Sequence, residues 1–189
     1  MESIYKYFDR SSGNEETEIS DEQMEEYRMV TYFDPKDITK YHKVFYERTN
    51  GSERMDQEIF YQIPCISISP FKEKIALIFG YDQKPSLEFL DFLSGASLFN
   101  CPGRKDIKIR TAYRLQDIDN DGVISKEDLT NYLKIITNDH LHTFEITEMV
   151  NRVMGECSSD VNQEVLTLQD FQRVITKSDF EPKLKLSFF

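Results

Sequence analysis

Tryptophan is absent from this sequence of 189 residues, and cysteine occurs only three times. Cys65, Cys101 and Cys157 stand far apart, without the paired spacing of a disulfide framework or of a thiolate metal site. A reducing compartment is the natural inference. We therefore expect a cytoplasmic protein.

Long apolar runs are also absent. No segment approaches the roughly 20 apolar residues needed to span a bilayer, and the N-terminus has no apolar stretch like that of a signal peptide. Glu2 follows Met1, so N-myristoylation is not expected. These absences predict no direct membrane insertion, and the protein would reach a membrane through a partner.

Basic residues are fewer than acidic ones. The chain has 23 Lys and Arg against 34 Asp and Glu, for a formal net charge of -11. It has no dense basic stripe that could neutralise phosphates, so nucleic acid is not an expected partner. The acidic character suits a protein that binds divalent cations or basic peptides, but surface solubility alone accounts for it at least as well.

Catalytic motifs are missing too. His42, His140 and His142 are the only histidines, and none has a spacing that pairs it with a nucleophile. The sequence has no glycine-rich phosphate loop, no metalloprotease motif and no Cys-x-x-Cys. Pairs of carboxylates do occur, but an acidic chain produces them by chance. We therefore expect a protein that is not an enzyme.

What the sequence does contain is one strong metal-binding pattern. From Asp117 to Asp128 it reads DIDNDGVISKED, with carboxylates at positions 1, 3 and 5 and Gly122 at position 6. This is the order and spacing of the twelve-residue EF-hand calcium loop, in which hard oxygen donors converge on one cation. The alternative is a solvated acidic loop. Apolar residues at helical spacing on both sides favour the metal site.

The predicted ligands of this one site supply side-chain or backbone oxygens: Asp117, Asp119, Asp121, Val123, Ser125 and Asp128. Position 12 departs from the usual pattern, because Asp128 stands where most such loops have a Glu that binds with both oxygens. A shorter side chain gives fewer ligands and a smaller cavity, which suits Mg2+ better than the usual loop does. We expect one Ca2+ or Mg2+ per chain, with Mg2+ bound at resting calcium.

Three weaker copies of the pattern occur elsewhere in the chain. Residues 80–91 carry Lys84 at position 5, where a cation would meet an ammonium group. Residues 159–170 lack acidic residues at positions 1, 3 and 5, and residues 48–59 are the faintest copy. None of the three is expected to hold a metal. All four loops keep an apolar residue at position 8, as short strand pairing between loops requires: Met55, Leu87, Ile124 and Leu166.

The four copies predict an all-α EF-hand fold of two lobes. Each lobe is a pair of helix–loop–helix units with short β-pairing between the loops. We place the N-lobe at residues 20–97, with two degenerate hands, and the C-lobe at 98–176, with one intact and one degenerate hand. Residues 1–19 are expected to form a mobile N-terminal tail. Residues 177–189 form an apolar C-terminal tail, in which Pro182 prevents a continuous helix.

Segments outside the loop resemble those of one family. SPFKEKIALIFG, at residues 69–80, is similar to a stretch before the second hand of the calcium- and integrin-binding protein family. DFQRVITKSDF, at residues 170–180, is similar to the closing stretch of its fourth hand. General EF-hand chemistry requires neither segment. The resemblance spans nearly the whole chain, but the family's fourth loop usually binds calcium, whereas residues 159–170 lack the ligands.

This resemblance implies an adaptor that binds amphipathic helices in an apolar groove partly covered by the C-terminal tail. Family members bind integrin α-subunit cytoplasmic tails, certain kinases and transmembrane channel-like proteins. The expected partner is therefore an amphipathic helix, for example from a cytoplasmic segment of a membrane protein such as an ion channel.

Candidate groove residues are apolar positions of the second hand, the following helix and the tail: Ile75, Ile78, Phe79, Phe89, Leu93, Leu98, Phe99, Phe180 and Leu184. Their alternative role is in the core, and spacing alone favours the core for most of them, with about one in three facing a groove. Phe180, Leu184, Leu186 and Phe188 are predicted to fill the groove in the free protein.

Two functions remain open at this point. One is a constitutive adaptor whose single Ca2+ or Mg2+ site is mainly structural. The other is a calcium-triggered sensor or a regulatory subunit of a kinase or phosphatase. A switch needs an ion whose binding free energy differs strongly between two states of the protein. One weakened site supplies a smaller free-energy difference than several intact sites do. The sequence therefore favours the constitutive adaptor.

Overall fold

The computed structural model describes residues 18–157, 164–175 and 184–188. These residues form helices with two pairs of short strands, so the predicted all-α EF-hand class with loop-to-loop β-pairing is confirmed. The helices are α1 (Asp21–Thr31), α2 (Pro35–Arg48), α3 (Gln57–Tyr61), α4 (Pro64–Ser67), α5 (Lys72–Phe79), α6 (Phe89–Asn100), α7 (Lys105–Gln116), α8 (Lys126–Thr137), α9 (Thr143–Cys157) and α10 (Leu168–Ile175). The strands are β1 (Met55–Asp56), β2 (Ser86–Leu87), β3 (Ile124–Ser125) and β4 (Val165–Leu166).

Polar caps fix the starts of several helices. Ser20 precedes α1, where its hydroxyl accepts a hydrogen bond from the Gln23 N–H and the Gln23 side chain accepts one from the Ser20 N–H. The Asp34 side chain caps α2 and is followed by Pro35, whose fixed φ suits the first helical position. Ser125 caps α8 within the predicted metal loop. These starts follow from local sequence chemistry.

The strands join the loops two by two. Met55 of β1 lies opposite Leu87 of β2, and Ile124 of β3 lies opposite Leu166 of β4, both in antiparallel pairs. These are the four position-8 residues, and all four are buried. The predicted pairing is therefore confirmed, even for the loop at residues 48–59 that carries the faintest pattern.

Buried apolar side chains form two clusters. The first draws on α2 to α6, and the second on α7 to α10 with strands β3 and β4. Helix α6 continues through residue 97, the predicted boundary between the lobes, and ends at Asn100. The lobes also touch directly, since the Phe71 ring beside α5 stacks on Tyr132 of α8 with 5.1 Å between centroids. The clusters correspond to the two helix–loop–helix pairs.

Residues 184–188 pack against the first cluster and are tied to the end of α6. Asn100 Nδ2 donates to the Leu186 carbonyl at 2.7 Å, and the Leu186 N–H donates to Asn100 Oδ1 at 3.0 Å. Phe188 is buried, with its ring centroid 5.6 Å from those of Tyr41 and Phe92. Leu184 also contacts this cluster, whereas Phe180 lies outside the described residues. The C-terminal segment thus adds an aromatic side chain to the N-lobe core.

Each helix in the described part of the chain is too short or too polar to span a bilayer.

Close packing of α5 on α6 predicts the cost of a side chain at Gly95. A Cβ there would lie 2.6 Å from Cγ of the buried Phe79 ring. Gly95→Ala should therefore lower the free energy of unfolding by about 1–3 kcal/mol, despite the higher helix propensity of alanine. Urea denaturation at equilibrium measures this change.

Gly155 of α9 provides the matched control, because a Cβ there would meet nothing within 4 Å. Gly155→Ala should raise the free energy of unfolding by about 0.5–1 kcal/mol. Equal effects of the two substitutions would contradict the close approach of Phe79 to α6.

Candidate metal centre

The loop Asp117–Asp128 connects α7 to α8 by a sharp turn. Asn120 and Gly122 both adopt left-handed conformations, with φ of 64° and 91°. Asparagine and glycine are the residues that adopt this conformation at low cost. The single O–H of Tyr113 is shared between the carbonyl oxygens of Leu166 at 2.8 Å and Gly122 at 3.1 Å, which ties the loop to its paired strand. The turn brings the two ends of the loop together.

Three predicted ligands converge within this loop. One oxygen from each of Asp117, Asp119 and Asp128 lies within 4.8 Å of the other two. Among the described residues, no other set of acidic, histidine or cysteine side chains forms such a group. Asp121 lies outside it and accepts a hydrogen bond from the Val123 N–H at 2.9 Å. Three converging carboxylates supply part of the hard oxygen set that Ca2+ and Mg2+ require.

Asp117 gives the most direct indication of a ligand. Its side chain is buried, and Oδ2 accepts a hydrogen bond from the Gly122 N–H at 3.1 Å. The other oxygen, Oδ1, is buried without a hydrogen-bond partner. Burial of such an oxygen is unfavourable unless a donor or a cation compensates it. The arrangement fits a divalent cation.

Asp128 is oriented by the loop itself. Its Oδ1 accepts from the N–H groups of Ile118 at 2.9 Å and Asp119 at 3.3 Å. Its Oδ2 accepts from the N–H and hydroxyl of Ser125 at 2.8 and 2.5 Å. Burial by itself would raise the pKa of Asp128, but these hydrogen bonds lower it. The carboxylate is therefore held ionised, while the Ser125 hydroxyl is engaged as the cap of α8.

A lysine of the other lobe also reaches this loop. Lys74 of α5 is only 8% exposed, and its Nζ donates to the Asp117 carbonyl, to Asn120 Oδ1 and, at 3.4 Å, to the Ile118 carbonyl. Burial lowers the pKa of Lys74, and the loop carboxylates, Asp117 foremost, oppose that shift. Sequence reasoning missed this residue. Its one visible signal was a lysine between Phe71 and the apolar run that begins at Ile75.

The loop Gly80–Asp91 carries a cation of its own. Lys84, at position 5, places Nζ 2.6 Å from Oδ1 of Asp91, at position 12. The other Asp91 oxygen accepts from the Glu88 N–H at 3.2 Å. The ammonium group that we expected a metal to meet therefore lies on the loop's last carboxylate.

The last loop is described only from Glu164 onward, so its positions 1, 3 and 5 lie outside the described residues. Asp170 at position 12 accepts from the N–H and hydroxyl of Thr167, at 3.1 and 2.6 Å. Arg173 lies 3.5 Å from its other oxygen. This carboxylate, like that of Asp91, is compensated by protein groups.

The predicted groove residues lie mainly in the N-lobe core. Six are buried in the first cluster: Ile75, Ile78, Phe79, Phe89, Leu93 and Phe99. Leu98 and Leu184 are partly buried against the same cluster. In the free protein these side chains thus have the core role, which was the alternative to a groove.

A cavity lies beside the predicted groove residues. A cavity of about 430 Å3 between α1, α5, α6 and α7 is lined in part by Ile78, Phe79 and Leu98. Val30 of α1 and Ile107 of α7 form other parts of its wall. Sequence reasoning did not identify these two residues, because helical spacing within one element does not show which helices become neighbours.

Several known proteins are similar in sequence to this chain over most of its length. Calcium and integrin-binding family member 2 of Homo sapiens is 30% identical over 176 residues, covering 88% of this chain and 94% of the human protein. The protein of that name from Drosophila melanogaster is 28% identical over 178 residues with the same coverage. Calcineurin B of Naegleria gruberi is 26% identical over 175 residues, covering 92% of this chain and 98% of that protein. No protein-family model matches the chain.

The crowded carboxylates predict that Asp117 lowers the stability of the metal-free protein. In chelator, Asp117→Asn should raise the free energy of unfolding by about 1 kcal/mol, because it removes one of three mutually repelling charges. The new amide can also donate to a neighbouring carboxylate. Urea denaturation in chelator measures the change.

Asp170→Asn is the matched control at a buried carboxylate that already has hydroxyl and backbone donors. It should lower the free energy of unfolding by about 1 kcal/mol, because the amide oxygen can still accept both Thr167 bonds but the amide nitrogen cannot accept from Arg173, and the charge that attracts Arg173 is lost. A destabilised Asp117→Asn protein would contradict our interpretation of the cluster.

Proposed function

Because this chain belongs to the calcium and integrin-binding family, we propose that it is a non-catalytic EF-hand adaptor with one divalent-metal site and a groove for an amphipathic helix of a target protein. The observation that carries the metal site is the buried, unpartnered Asp117 Oδ1 among three converging carboxylates. The family relationship over most of both chains supports a protein partner.

The metal site is mainly structural in this proposal. Asp117, Asp119 and Asp128 supply the converging carboxylates, and the loop order adds Asp121, the Val123 carbonyl and Ser125. A bound Mg2+ or Ca2+ would neutralise the carboxylates and stabilise the C-lobe. The short Asp128 side chain favours Mg2+ at resting calcium. The other described position-12 carboxylates, Asp91 and Asp170, lie beside the protein cations Lys84 and Arg173, which supports a fold that needs only one ion.

The target site lies on the N-lobe, beside the cavity between α1, α5, α6 and α7. The C-terminal segment supports this placement, because Leu186 and Phe188 already pack as apolar side chains against the first cluster. Such a segment would leave when a target helix enters. We propose a cytoplasmic segment of a membrane protein as the target, for example an integrin α tail or a transmembrane channel-like protein. The adaptor is then cytoplasmic and reaches the membrane through that partner.

Similarity to calcineurin B favours a second candidate function. This is a calcium-triggered sensor or a regulatory subunit of a kinase or phosphatase. The two candidates differ in the effect of metal on target binding. A structural site leaves the affinity for the target nearly constant, whereas a sensor changes it strongly.

One metal per chain is the first testable consequence. Calorimetric titration of metal-stripped protein should give one site, which Mg2+ fills at about millimolar concentration. Ca2+ should displace the bound Mg2+ only weakly. Asp117→Ala should abolish binding, because it removes the first ligand. Asp91→Asn, the control in the loop with its own lysine, should leave the stoichiometry at one site. Two sites, or no Mg2+ binding, would contradict the proposal.

The second testable consequence concerns the groove. In our proposal the C-terminal segment and the target helix occupy the same groove in turn. Phe188→Ala should raise the affinity for an integrin α-tail peptide by at least about tenfold, because the segment loses its buried aromatic side chain. Fluorescence anisotropy with labelled peptide measures the affinity. Lys185→Ala, at an exposed position of the same segment, should leave it unchanged.

The same titration separates the two candidate functions. Replacing Mg2+ with chelator or with Ca2+ should change the wild-type affinity by less than about tenfold, or roughly 1.4 kcal/mol. A larger change would favour the sensor. Equal peptide affinity of the wild type and Phe188→Ala would show that segment and target do not share a groove.

A further inference from the structure

We propose that Lys74, supplied by the N-lobe, lowers the affinity of the metal site, because its ammonium group lies against the loop and repels the divalent cation that the loop carboxylates would hold. This inference rests on the proposed metal site in the loop Asp117–Asp128. It makes the lysine an internal cation that lowers metal affinity and links the site to α5.

The contact of Lys74 with the loop is a buried one. Its Nζ donates to three oxygens of the loop, those of the Asp117 and Ile118 carbonyls and of the Asn120 side chain. An ammonium group has three N–H donors, so three acceptors match the charged form. The stacking of Phe71 on Tyr132 holds the start of α5 against the C-lobe. The ammonium group is therefore fixed beside the loop by packing and by its own hydrogen bonds.

The charges that attract this lysine are those that would attract a metal. Lys74 Nζ donates to oxygens of Asp117 and Asn120, so the ammonium group lies at the loop in which the carboxylates of Asp117, Asp119 and Asp128 converge. A cation among these oxygens and the ammonium group beside them repel each other in a poorly solvated site. Lys74 therefore weakens metal binding.

A purely positioning role predicts the opposite sign. A lysine that repels the metal lowers the affinity through its charge, so removal of that charge strengthens metal binding. If the lysine only held the loop in shape, its removal would loosen the ligands and weaken binding. The sign of the change in affinity thus separates the two roles.

This repulsion also connects the metal site to the N-lobe. Thermodynamic linkage makes this effect reciprocal. If Lys74 lowers the metal affinity by a given factor, bound metal weakens the contact of Lys74 with the loop by the same factor. Helix α5 carries Lys74 near one end and Ile78 and Phe79, which line the cavity, near the other. Metal binding would therefore loosen α5 from the C-lobe loop beside the proposed groove.

Calorimetry with Mg2+ alone and Ca2+ alone tests the proposal on the full chain. Lys74→Met, which keeps an apolar stem, and Lys74→Gln, which keeps a neutral donor, should both bind metal about tenfold more tightly than the wild type. The control is Lys72→Met, which removes the same charge from the same helix. The Lys72 side chain is 43% exposed and lies near Glu73 and Tyr61. The metal affinity of Lys72→Met should therefore differ from that of the wild type by less than about twofold.

Unchanged or weaker metal binding in the folded Lys74 variants would overturn the inference. An equal gain in Lys72→Met would overturn it too, since the effect would then be one of net charge. Lys74→Gln covers the case in which Lys74→Met does not fold.

Hydrogen exchange on the wild type tests the linkage without any substitution. Mg2+ should slow amide exchange in residues 117–128 and speed it in residues 72–79. Slower exchange in the loop, together with unchanged or slower exchange in α5, would overturn the proposed role of Lys74 but leave the metal site standing. No slowing in the loop and no binding heat would overturn the metal site and this inference together.

Discussion

Pairing of the loops at their eighth residues is the interaction on which both lobes depend. Each helix–loop–helix unit leaves an apolar face that only a second unit covers. The contacts of Met55 with Leu87 and of Ile124 with Leu166 lock the units in pairs. This pairing needs apolar side chains and backbone hydrogen bonds, and it needs no ion. Loops with poor metal-ligand patterns therefore still serve as parts of the fold.

Charge compensation at the last loop position is the second constraint. Each loop that ends in aspartate places that carboxylate at the start of a helix, where capping hydrogen bonds hold it. Asp91 is further compensated by Lys84, and Asp170 by Arg173. Asp128 instead lies beside two more carboxylates, a surplus of negative charge that a divalent cation would neutralise. Lys84 and Arg173 thus pair with the last carboxylates of their loops, whereas Lys74 donates to carbonyl and amide oxygens of this one.

Helix α5 links the two functional regions of the molecule. Lys74 lies against the metal loop, while Phe79 packs between the cavity, Gly95 of α6 and the buried Phe188 ring. Under our proposal for Lys74, a change at the charged loop alters how α5 packs beside the aromatic core. The adaptor that we propose therefore has a direct route between its metal site and its groove, even though the site is mainly structural.

Residue spacing along the chain was enough to predict the metal loop, the position-8 residues and the pairing of hands. The loop and the position-8 residues depend on spacings within about twelve residues, which backbone geometry converts directly into turns and helix faces, and the pairing of hands follows from repetition of that unit. Tertiary packing was needed to bring Lys74 to a loop 43 residues away and Asn100 to a backbone 86 residues away. It also placed most predicted groove residues in the core of the free protein. Such contacts depend on which helices pack together and at what angle, and an apolar stripe along one helix does not specify its neighbour.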